Sequence, residues 1–309
     1  MENKLHVSLS PHISSSNSTQ RTMLDVIIAL VPVSIAAVIL FGIPALLVIA
    51  VCVISAVVGE AVFNIAVKKE QTIGDLSAVV TGLILALNLP ANVPLWQAAV
   101  GSVFAIVIVK GIFGGLGKNI VNPAIAARVF MLIAFGSMTK AAFPTGLDSV
   151  SGATPLADLA NDKAVNLLDL FLGKCGGALG ETCTVALLIG GIYLLVRKVI
   201  SWHIPVAFIG TTFLFTFAVE GWNLETTLAW VLSGGLVLGA FFMATDYVTS
   251  PTTAKGKLIF GIGAGVITVL IRFWGGYPEG VSFAILLMNI VNPYIDSLTP
   301  RKIFGGKKK

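Results

Sequence analysis

Long apolar stretches separated by short polar segments recur along almost the whole chain. Many of them approach the roughly 20 residues that a helix needs to cross a bilayer. Ten membrane-spanning helices are predicted, at approximately 23–42, 45–67, 75–91, 95–113, 120–138, 182–201, 204–221, 225–244, 257–275 and 281–299. Prolines and polar residues separate several of them, as in Pro90-Ala91-Asn92-Val93-Pro94, and such clusters mark turns. The pattern predicts an all-α integral membrane protein.

Composition supports this prediction and divides the chain into segments. The 309 residues are 56% hydrophobic and 11% charged, whereas a soluble domain carries about 25% charged residues. The polar start lacks the apolar core and small-residue cleavage site of a signal peptide, so we expect the first helix to remain as an anchor. The predicted segments are a cytoplasmic lead (1–22), a first five-helix half (23–139), an extracytoplasmic loop (140–181), a second half (182–300) and a basic tail (301–309).

The net charge of +5 indicates membrane topology rather than a nucleic-acid partner. With the N-terminus in the cytoplasm, the basic clusters fall on one side of the membrane. They are Lys68-Lys69, Lys110 with Lys118, Arg197-Lys198, Lys255 with Lys257, and Arg301-Lys302 with Lys307-Lys308-Lys309. The loop 140–181, on the opposite side, holds three lysines against five acidic residues. Positive residues favour the cytoplasmic side, so both termini are predicted to be cytoplasmic and no nucleic acid is expected to bind.

A five-residue motif occurs twice. Asn119-Ile120-Val121-Asn122-Pro123 recurs as Asn289-Ile290-Val291-Asn292-Pro293, at the start of the fifth predicted helix and within the tenth. Two five-helix halves would run through the membrane in opposite directions, because an odd number of spans inverts the second copy. Inverted repeats commonly place a site at their interface, beside interrupted helices, and Asn-Pro supplies such an interruption. Chance recurrence with ordinary proline kinks is the alternative.

Several polar or ionisable residues lie within or at the edges of the apolar stretches. They are Glu60, Asn64, Arg128, Asp246, Arg272 and Asp296. An ionisable group near the bilayer centre costs at least ~2.5–3.5 kcal/mol, so such groups usually pair or line a pathway. Glu60, Asp246 and Asp296 are therefore candidates for an ion path, although Asp246 is equally suited to capping a helix. Arg272, beside Trp274, is expected to extend towards the lipid headgroups.

The cysteines, histidines and one glycine-rich stretch add little chemistry. The three cysteines and three histidines lack the spacing of a zinc or iron–sulfur site. Cys175 and Cys183 lie on the predicted outer side, where they would form a disulfide or stay separate thiols. Residues 111–118 lack the Ser or Thr that follows the lysine of a phosphate loop, so we predict close helix packing and a cytoplasmic turn there.

Five segments, in order, carry a family resemblance. They are residues 8–12 with Met23, 117–124 with Ala127-Arg128, Ser151-Gly152-Ala153-Thr154, 243–251, and 283–293 with Asp296. The chain resembles, over nearly its whole length, the D subunits of the Rnf complex, the bacterial ion-pumping ferredoxin:NAD⁺ oxidoreductase. More distantly it resembles the B subunits of the sodium-pumping NADH:quinone reductase. The 22-residue lead is too short to replace the quinone-associated N-terminal region of those B subunits, so quinone reduction is not expected.

The resemblance implies a flavoprotein subunit. FMN would be joined to Thr154 by a phosphoester, within the motif completed by Ser151, Gly152 and Ala153, and a separate flavin transferase would install it from FAD. A non-covalent riboflavin would contact Asn119 and Asn122. Electrons would arrive from a covalent FMN on the extracytoplasmic G subunit and return towards the cytoplasmic side. The other expected partners are the membrane subunits A and E and the lipid of the bacterial cytoplasmic membrane. The resemblance leaves Na⁺ or H⁺ as the coupling ion, and the direction of electron flow, open.

A different class of protein remains as the alternative. A channel or secondary transporter for a small solute, built on the same inverted five-helix repeat, would share every feature except the flavin motif. On the residues alone, Ser151-Gly152-Ala153-Thr154 also suits a simple turn of small residues between helices. Pro155 restricts the backbone of Thr154, which fits either a turn or a residue presented to a ligand.

Overall fold

The structure is a computed structural model that describes residues 18–139, 141–145, 153–161, 163, 165–276 and 279–301. In these residues the secondary structure is helical, apart from one β-bridge between Ala142 and Gly177. The apolar helices are α1 (Thr19–Phe41), α2 (Ile43–Ala66), α3 (Ser77–Leu87), α4 (Leu95–Gly111), α5 (Pro123–Ala134), α6 (Thr184–Val196), α7 (His203–Val219), α8 (Leu224–Leu232 then Leu236–Met243), α9 (Ala254–Trp274) and α10 (Val281–Leu298). Each corresponds to one predicted span, so the all-α membrane fold is confirmed.

Four of these helices are long and apolar enough to cross a membrane: α1, α2, α9 and α10. The others are shorter, and α8 is bent by 63° between its two arms. The span predicted at 225–244 is therefore present as two helical arms that meet at a bend. Gly234, at the break, has φ +69°, a conformation that glycine adopts without steric cost. The number of membrane crossings stays a prediction.

The packing of the first five helices recurs in the last five. In the first half, α2 packs against α3 and α4, and α4 packs against α5; in the second half, α7 packs against α8 and α9, and α9 packs against α10. Between the halves, α1 contacts α6 and α5 contacts α10. Each of these two pairs joins a helix to its counterpart five helices later. This pairing is the one that a duplicated five-helix unit produces.

Close packing between the halves depends on small residues. A Cβ at Gly190 in α6 would lie 2.1 Å from the carbonyl oxygen of Ala29 in α1, so a side chain there would separate the two helices. On the outside, α1 and α2 present large apolar side chains, with Ile39 74% and Ile43 72% exposed. Such a surface suits lipid rather than water.

The segment after α5 lies on the helices rather than apart from them. Two short helices, Pro155–Leu159 and Leu167–Leu172, contact the first arm of α8. Leu156, Leu159 and Leu170 form a buried cluster with Ala229 and Trp230 of α8. This apolar contact fixes the position of Thr154, which directly precedes the first short helix. Ser151 and Gly152 lie outside the described residues.

Candidate functional site

Thr154 caps the short helix Pro155–Leu159. Its backbone is extended, with φ −66° and ψ 155°, and its Oγ1 accepts a hydrogen bond from the N–H of Ala157 at 3.2 Å. Pro155 occupies the first helical position, where the missing N–H has no cost. The residue is half-buried, so its hydroxyl is held in one place by backbone structure and the small apolar cluster beneath.

A cavity of about 160 Å³, which we call the Thr154 cavity, opens beside this residue. Its walls come from the end of α3, α5, Met138 and Ala141, the two short helices with Thr154, the segment around 175–182, the break in α8 and the start of α10. Its polar side chains include Asn88, Arg128, Glu181, Glu279 and Ser282. A mainly apolar cavity with a few convergent polar groups is the usual form of a ligand site.

Arg128 is the centre of the polar groups in this cavity. Its Nη1 donates to Asn88 Oδ1 at 2.7 Å and to Ser282 Oγ at 3.1 Å. Its Nη2 donates to Glu181 Oε1 at 3.0 Å and to a carboxylate oxygen of Glu279. Arg128 is buried, and these contacts compensate a charge that would otherwise be costly there. The sequence placed Arg128 in a span but gave no sign of these partners.

The two carboxyl groups on Arg128 differ in their protonation. Burial raises the pKa of Glu279 to about 8, against the attraction of Arg128 and with a further rise from the nearby Glu181. Burial also acts to raise the pKa of Glu181, but the charge and hydrogen bonds of Arg128 hold that pKa below its usual value. Of the two carboxyl groups in the cavity, that of Glu279 therefore has the higher proton affinity.

Arg272 stabilises the break in α8, contrary to the prediction that it extends to the lipid headgroups. It is 5% exposed. Its guanidinium donates to the carbonyls of Trp230 at 2.6 Å, Ser233 at 3.1 Å and Glu279 at 3.3 Å. A helix end leaves its last carbonyls without helical partners, and Arg272 supplies those partners. The run Ser233-Gly234-Gly235 was the sequence signal for this break.

A second cavity, of about 90 Å³, contains the other predicted cofactor residues. We call it the Asn119 cavity; Asn119, Asn122 and Asp246 all line it, with Lys110 and Thr245. Asn122 caps α5, since its Oδ1 accepts from the N–H of Ala124 at 3.0 Å and of Ile125 at 3.4 Å. Asn119 makes one described contact, from Nδ2 to the carbonyl of Val121 at 3.0 Å.

The two copies of the asparagine–proline motif meet next to this cavity. With its amide oriented to suit its neighbours, Asn289 accepts from the backbone N–H of Asn122 at 3.1 Å and donates to the carbonyl of Thr249 at 3.2 Å. Asn292 is buried, and its Oδ1 has no hydrogen-bond partner among the described residues. The two copies of the motif are therefore in direct contact.

One layer of residues separates the two cavities. Asn88, which lines the Thr154 cavity, donates to Met243 Sδ at 3.3 Å. Asn122, which lines the Asn119 cavity, donates to the carbonyl of Met243 at 3.2 Å. Met243 ends the second arm of α8. The two cavities are therefore linked through hydrogen bonds to one residue, Met243.

The three candidate ion-path residues do not share one site. Glu60 is buried and pairs with Lys110 Nζ and Thr72 Oγ1, both at 2.7 Å, beside a separate cavity of about 300 Å³. Asp246 accepts from Thr249 Oγ1 at 3.0 Å at the edge of the Asn119 cavity. Asp296 accepts from the N–H of Thr252 at 3.0 Å and lines neither of the two named cavities.

Lys110 and the cysteines also change the interpretation of the sequence. Lys110, counted above as a cytoplasmic surface charge, is 4% exposed and neutralised by Glu60.

Cys175 and Cys183 are free thiols, so the structure favours separate thiols over a disulfide. Burial raises the pKa of Cys175 to about 12, which makes its thiol a weak nucleophile. Among the described residues, no group of three or more His, Cys, Asp or Glu could hold a metal ion.

Comparison with known proteins gives a consistent result. Residues 6–305 match the NQR2, RnfD, RnfE family. The chain is 50% identical to the D subunit of the Na⁺-translocating ferredoxin:NAD⁺ oxidoreductase complex of Acetobacterium woodii, over 99% of this chain and 97% of that protein. It is 43% identical to the D subunit of the proton-translocating ferredoxin:NAD⁺ oxidoreductase complex of Clostridium ljungdahlii, over 99% and 98%. It is 38% identical to the D subunit of the ion-translocating oxidoreductase complex of Ectopseudomonas mendocina, over 97% and 95%.

Proposed function

This chain belongs to the NQR2, RnfD, RnfE family, and from that premise we propose that it is the D subunit of an ion-translocating ferredoxin:NAD⁺ oxidoreductase complex. The similarity extends over nearly the full length of the relatives, which supports a role for the whole chain rather than for one motif. The chain performs no complete reaction by itself. It acts with the other subunits of the complex, including the G subunit and the membrane subunits A and E.

The observation that carries the finer proposal is the position of Thr154 at the wall of the Thr154 cavity. We propose that FMN is joined to Thr154 Oγ1 by a phosphoester. The local geometry fits such a bond. The capping interaction uses a lone pair of the Thr154 oxygen, which accepts from Ala157, and leaves the hydroxyl hydrogen to be replaced by phosphorus. A separate transferase would supply FMN from FAD, and AMP would leave.

The walls of the cavity also suit a flavin. A bound flavin supplies the redox chemistry, while the protein supplies position and electrostatics. Arg128, Glu181 and Glu279 line the same cavity as Thr154, and with one carboxyl group protonated the three carry no net charge, so a negatively charged group there meets no net repulsion from them. Leu156 and Leu170 contribute apolar surface and help to exclude water. These residues therefore hold and orient the proposed group.

The Asn119 cavity is the proposed position of a non-covalent riboflavin. An asparagine amide offers both a donor and an acceptor to a flavin edge. Asn122 uses its Oδ1 and one donor in protein contacts, so its second N–H is the group it can offer. The described contact of Asn119 uses only Nδ2, and its carbonyl oxygen can accept from a ligand. The single layer at Met243 between the cavities supports electron transfer from one to the other.

The proposed direction follows the predicted topology. Electrons enter on the extracytoplasmic side, from the FMN-carrying G subunit, and return towards the cytoplasmic side of the bacterial inner membrane. The transfer is coupled to the movement of Na⁺ or H⁺. One relative is named for Na⁺ and another for protons, so family membership is compatible with either ion. Asp246 and Glu60 are the better placed of the three candidate ion-path residues, because each lines a cavity.

A channel or secondary transporter for a small solute is the second candidate function. The broken helix α8, beside the Thr154 cavity, is the observation in its favour, since transporters place sites at such breaks. A covalent flavin distinguishes the two functions, because only a covalent flavin remains bound after denaturation.

Fluorescence of the denatured subunit on a gel tests the proposal. The unsubstituted subunit should fluoresce, and Thr154→Ala should abolish the signal without preventing membrane insertion. Serine at the same position keeps a hydroxyl and should retain part of the signal. Thr145→Ala, which changes an exposed threonine of the same loop, is the matched control and should fluoresce normally. A fluorescent Thr154→Ala protein would refute the assignment.

A further inference from the structure

We propose that Glu181 and Glu279 together bind one exchangeable proton at the wall of the Thr154 cavity, and that negative charge in the cavity strengthens this binding. The second half of this statement rests on the proposed function, since the negative charge would be that of the flavin. The first half rests only on residues of this chain. Neither residue was a candidate from the sequence, where both were merely acidic positions near helix ends.

Two carboxyl groups share a single guanidinium. Arg128 Nη2 donates a hydrogen bond to one oxygen of the Glu181 carboxyl group and to one oxygen of the Glu279 carboxyl group. The site is buried, so two carboxylates there with one directly bonded cation would repel each other strongly. A proton on one of the two carboxyl groups removes this repulsion.

The two carboxyl groups also converge on one point of the backbone. A Cβ built on Gly235 would lie 2.9 Å from Glu279 Oε1 and 3.2 Å from Glu181 Oε1. Gly235 lies in the break between the arms of α8, where the absence of a side chain makes room for both groups. A side-chain hydrogen bond also joins the two carboxyl groups, which is the contact that a shared proton requires.

No described residue donates a hydrogen bond to the remaining oxygen of Glu279, Oε1, which is buried. A bare anionic oxygen in that position would carry an unsatisfied desolvation cost. A protonated oxygen would instead donate to the adjacent Glu181 carboxylate, which accepts from Arg128. The hydrogen bond between Glu279 Oε1 and the Glu181 carboxylate therefore forms only when one proton is bound.

The other charged groups around Glu279 do not replace that proton. Arg272, from α9, is the second nearby cation, but its described hydrogen bonds go to three backbone carbonyls. One of these carbonyls is that of Glu279 itself, but no described hydrogen bond of Arg272 reaches the Glu279 carboxyl group, on which its charge acts only at a distance. Glu181 contributes a negative charge and Arg128 the one direct positive contact. Consistent with this balance, burial raises the pKa of Glu279 to about 8, so the proton is held at neutral pH and released above it.

The Glu181–Glu279 pair can exchange its proton with the cavity because both residues line it. Arg128, Glu181 and Glu279 all line the Thr154 cavity. A negative charge placed there makes it harder to ionise the pair, so proton affinity rises. By thermodynamic reciprocity, a bound proton makes it easier to place negative charge in the cavity. The pair would thus couple proton binding to the charge state of the proposed flavin.

Infrared spectroscopy of the purified complex tests the proton site directly. The absorption of a protonated, buried carboxyl group should be present at neutral pH and disappear as the pH rises through about 8. Glu279→Gln should remove this titrating band. Glu225→Gln, at an exposed position in the first turn of α8, should leave it unchanged. A band that persists unaltered in Glu279→Gln, or that is missing from the unsubstituted complex, would overturn the proposal.

A second experiment measures the coupling between proton binding and the charge of the flavin. The reduction potential of the covalent flavin should fall with rising pH above about pH 8, where the oxidised complex has lost the proton that reduction takes up again, and Glu279→Gln should weaken this dependence. An unchanged dependence in that variant would exclude the coupling while leaving the flavin assignment intact. A titrating carboxyl band in a protein without covalent flavin would instead refute the proposed function and keep the proton site. If Glu279→Gln does not assemble, the titration of the unsubstituted complex still decides whether a proton is bound.

Discussion

The Thr154 cavity and the Asn119 cavity are held together by different kinds of polar contact. At the Thr154 cavity, charged side chains from distant segments compensate one another around Arg128. At the Asn119 cavity, uncharged amides cap a helix and join the two copies of the repeated motif. The first arrangement tolerates a change of charge, because a proton can be gained or lost. The second is rigid and suits a ligand that is held by hydrogen bonds. The difference indicates separate roles for the two cavities.

The largest effect is expected from removing the charge that organises the Thr154 cavity. Arg128→Met leaves two buried carboxyl groups without their shared cation, and breaking a buried ion pair typically costs about 3–5 kcal/mol. We expect a large loss of assembled protein and a lower unfolding temperature in detergent. Lys163→Met is the matched control. The Lys163 side chain is 65% exposed and pairs with Asp158, whose side chain is 29% exposed, and an exposed pair contributes about 0–1 kcal/mol. Equal destabilisation by both variants would contradict the comparison.

Intermediate effects are expected at the four asparagines. Alanine at Asn119 or Asn122 should lower the non-covalent flavin content without affecting the Thr154 adduct, because each lost hydrogen bond leaves a polar group unsatisfied at about 1–3 kcal/mol. Asn122→Ala should also lose stability, by about 1 kcal/mol, because Asn122 caps α5. Flavin extracted from the purified complex and quantified by chromatography measures the first effect.

The second copy of the motif provides the internal control. Alanine at Asn289 or Asn292 should mainly reduce stability or assembly, since Asn289 joins Asn122 to Thr249. Equal flavin loss from both copies would indicate a symmetric site. Unchanged riboflavin in all four variants would remove these asparagines from the mechanism.

The smallest effect on the protein is expected from single cysteine substitutions, whose labelling tests on which side of the membrane each cavity opens. After native Cys175 and Cys183 are masked, Ala160→Cys, an exposed position beside the Thr154 cavity segment, should react with a membrane-impermeant reagent on intact cells. Lys118→Cys, exposed near the Asn119 cavity, should react only after lysis. The reverse pattern would overturn the topology and the electron path based on it.

The sequence predicted the features that depend on local pattern. Each predicted span matches an apolar helix, and the two copies of the motif that recurs at Asn119 and Asn289 are in contact. Features that depend on long-range contacts were missed. Arg272 looked like a residue near a helix end, and only the fold shows that it satisfies carbonyls of α8. Lys110 looked like a surface charge because its partner, Glu60, lies 50 residues away.

The charged part of the Thr154 cavity shows the same limit. Glu181 and Glu279 are separated from Arg128 by 53 and 151 residues, and nothing in the local pattern joins them. The sequence signal that was available was the Ser233-Gly234-Gly235 break, which interrupts an apolar stretch. In this chain the glycine pair within a predicted span marks the break in α8, and that break lies beside the Thr154 cavity.

The central claim is that Thr154 carries FMN at the Thr154 cavity. Mass spectrometry of the peptide containing residues 153–161, from denatured complex, tests it most directly. We expect the peptide to carry the added mass of FMN, with fragment ions that place the modification on Thr154, and the same peptide from Thr154→Ala to be unmodified. An unmodified native peptide from a complex that retains its other flavins, or FMN on a different residue, would contradict the account.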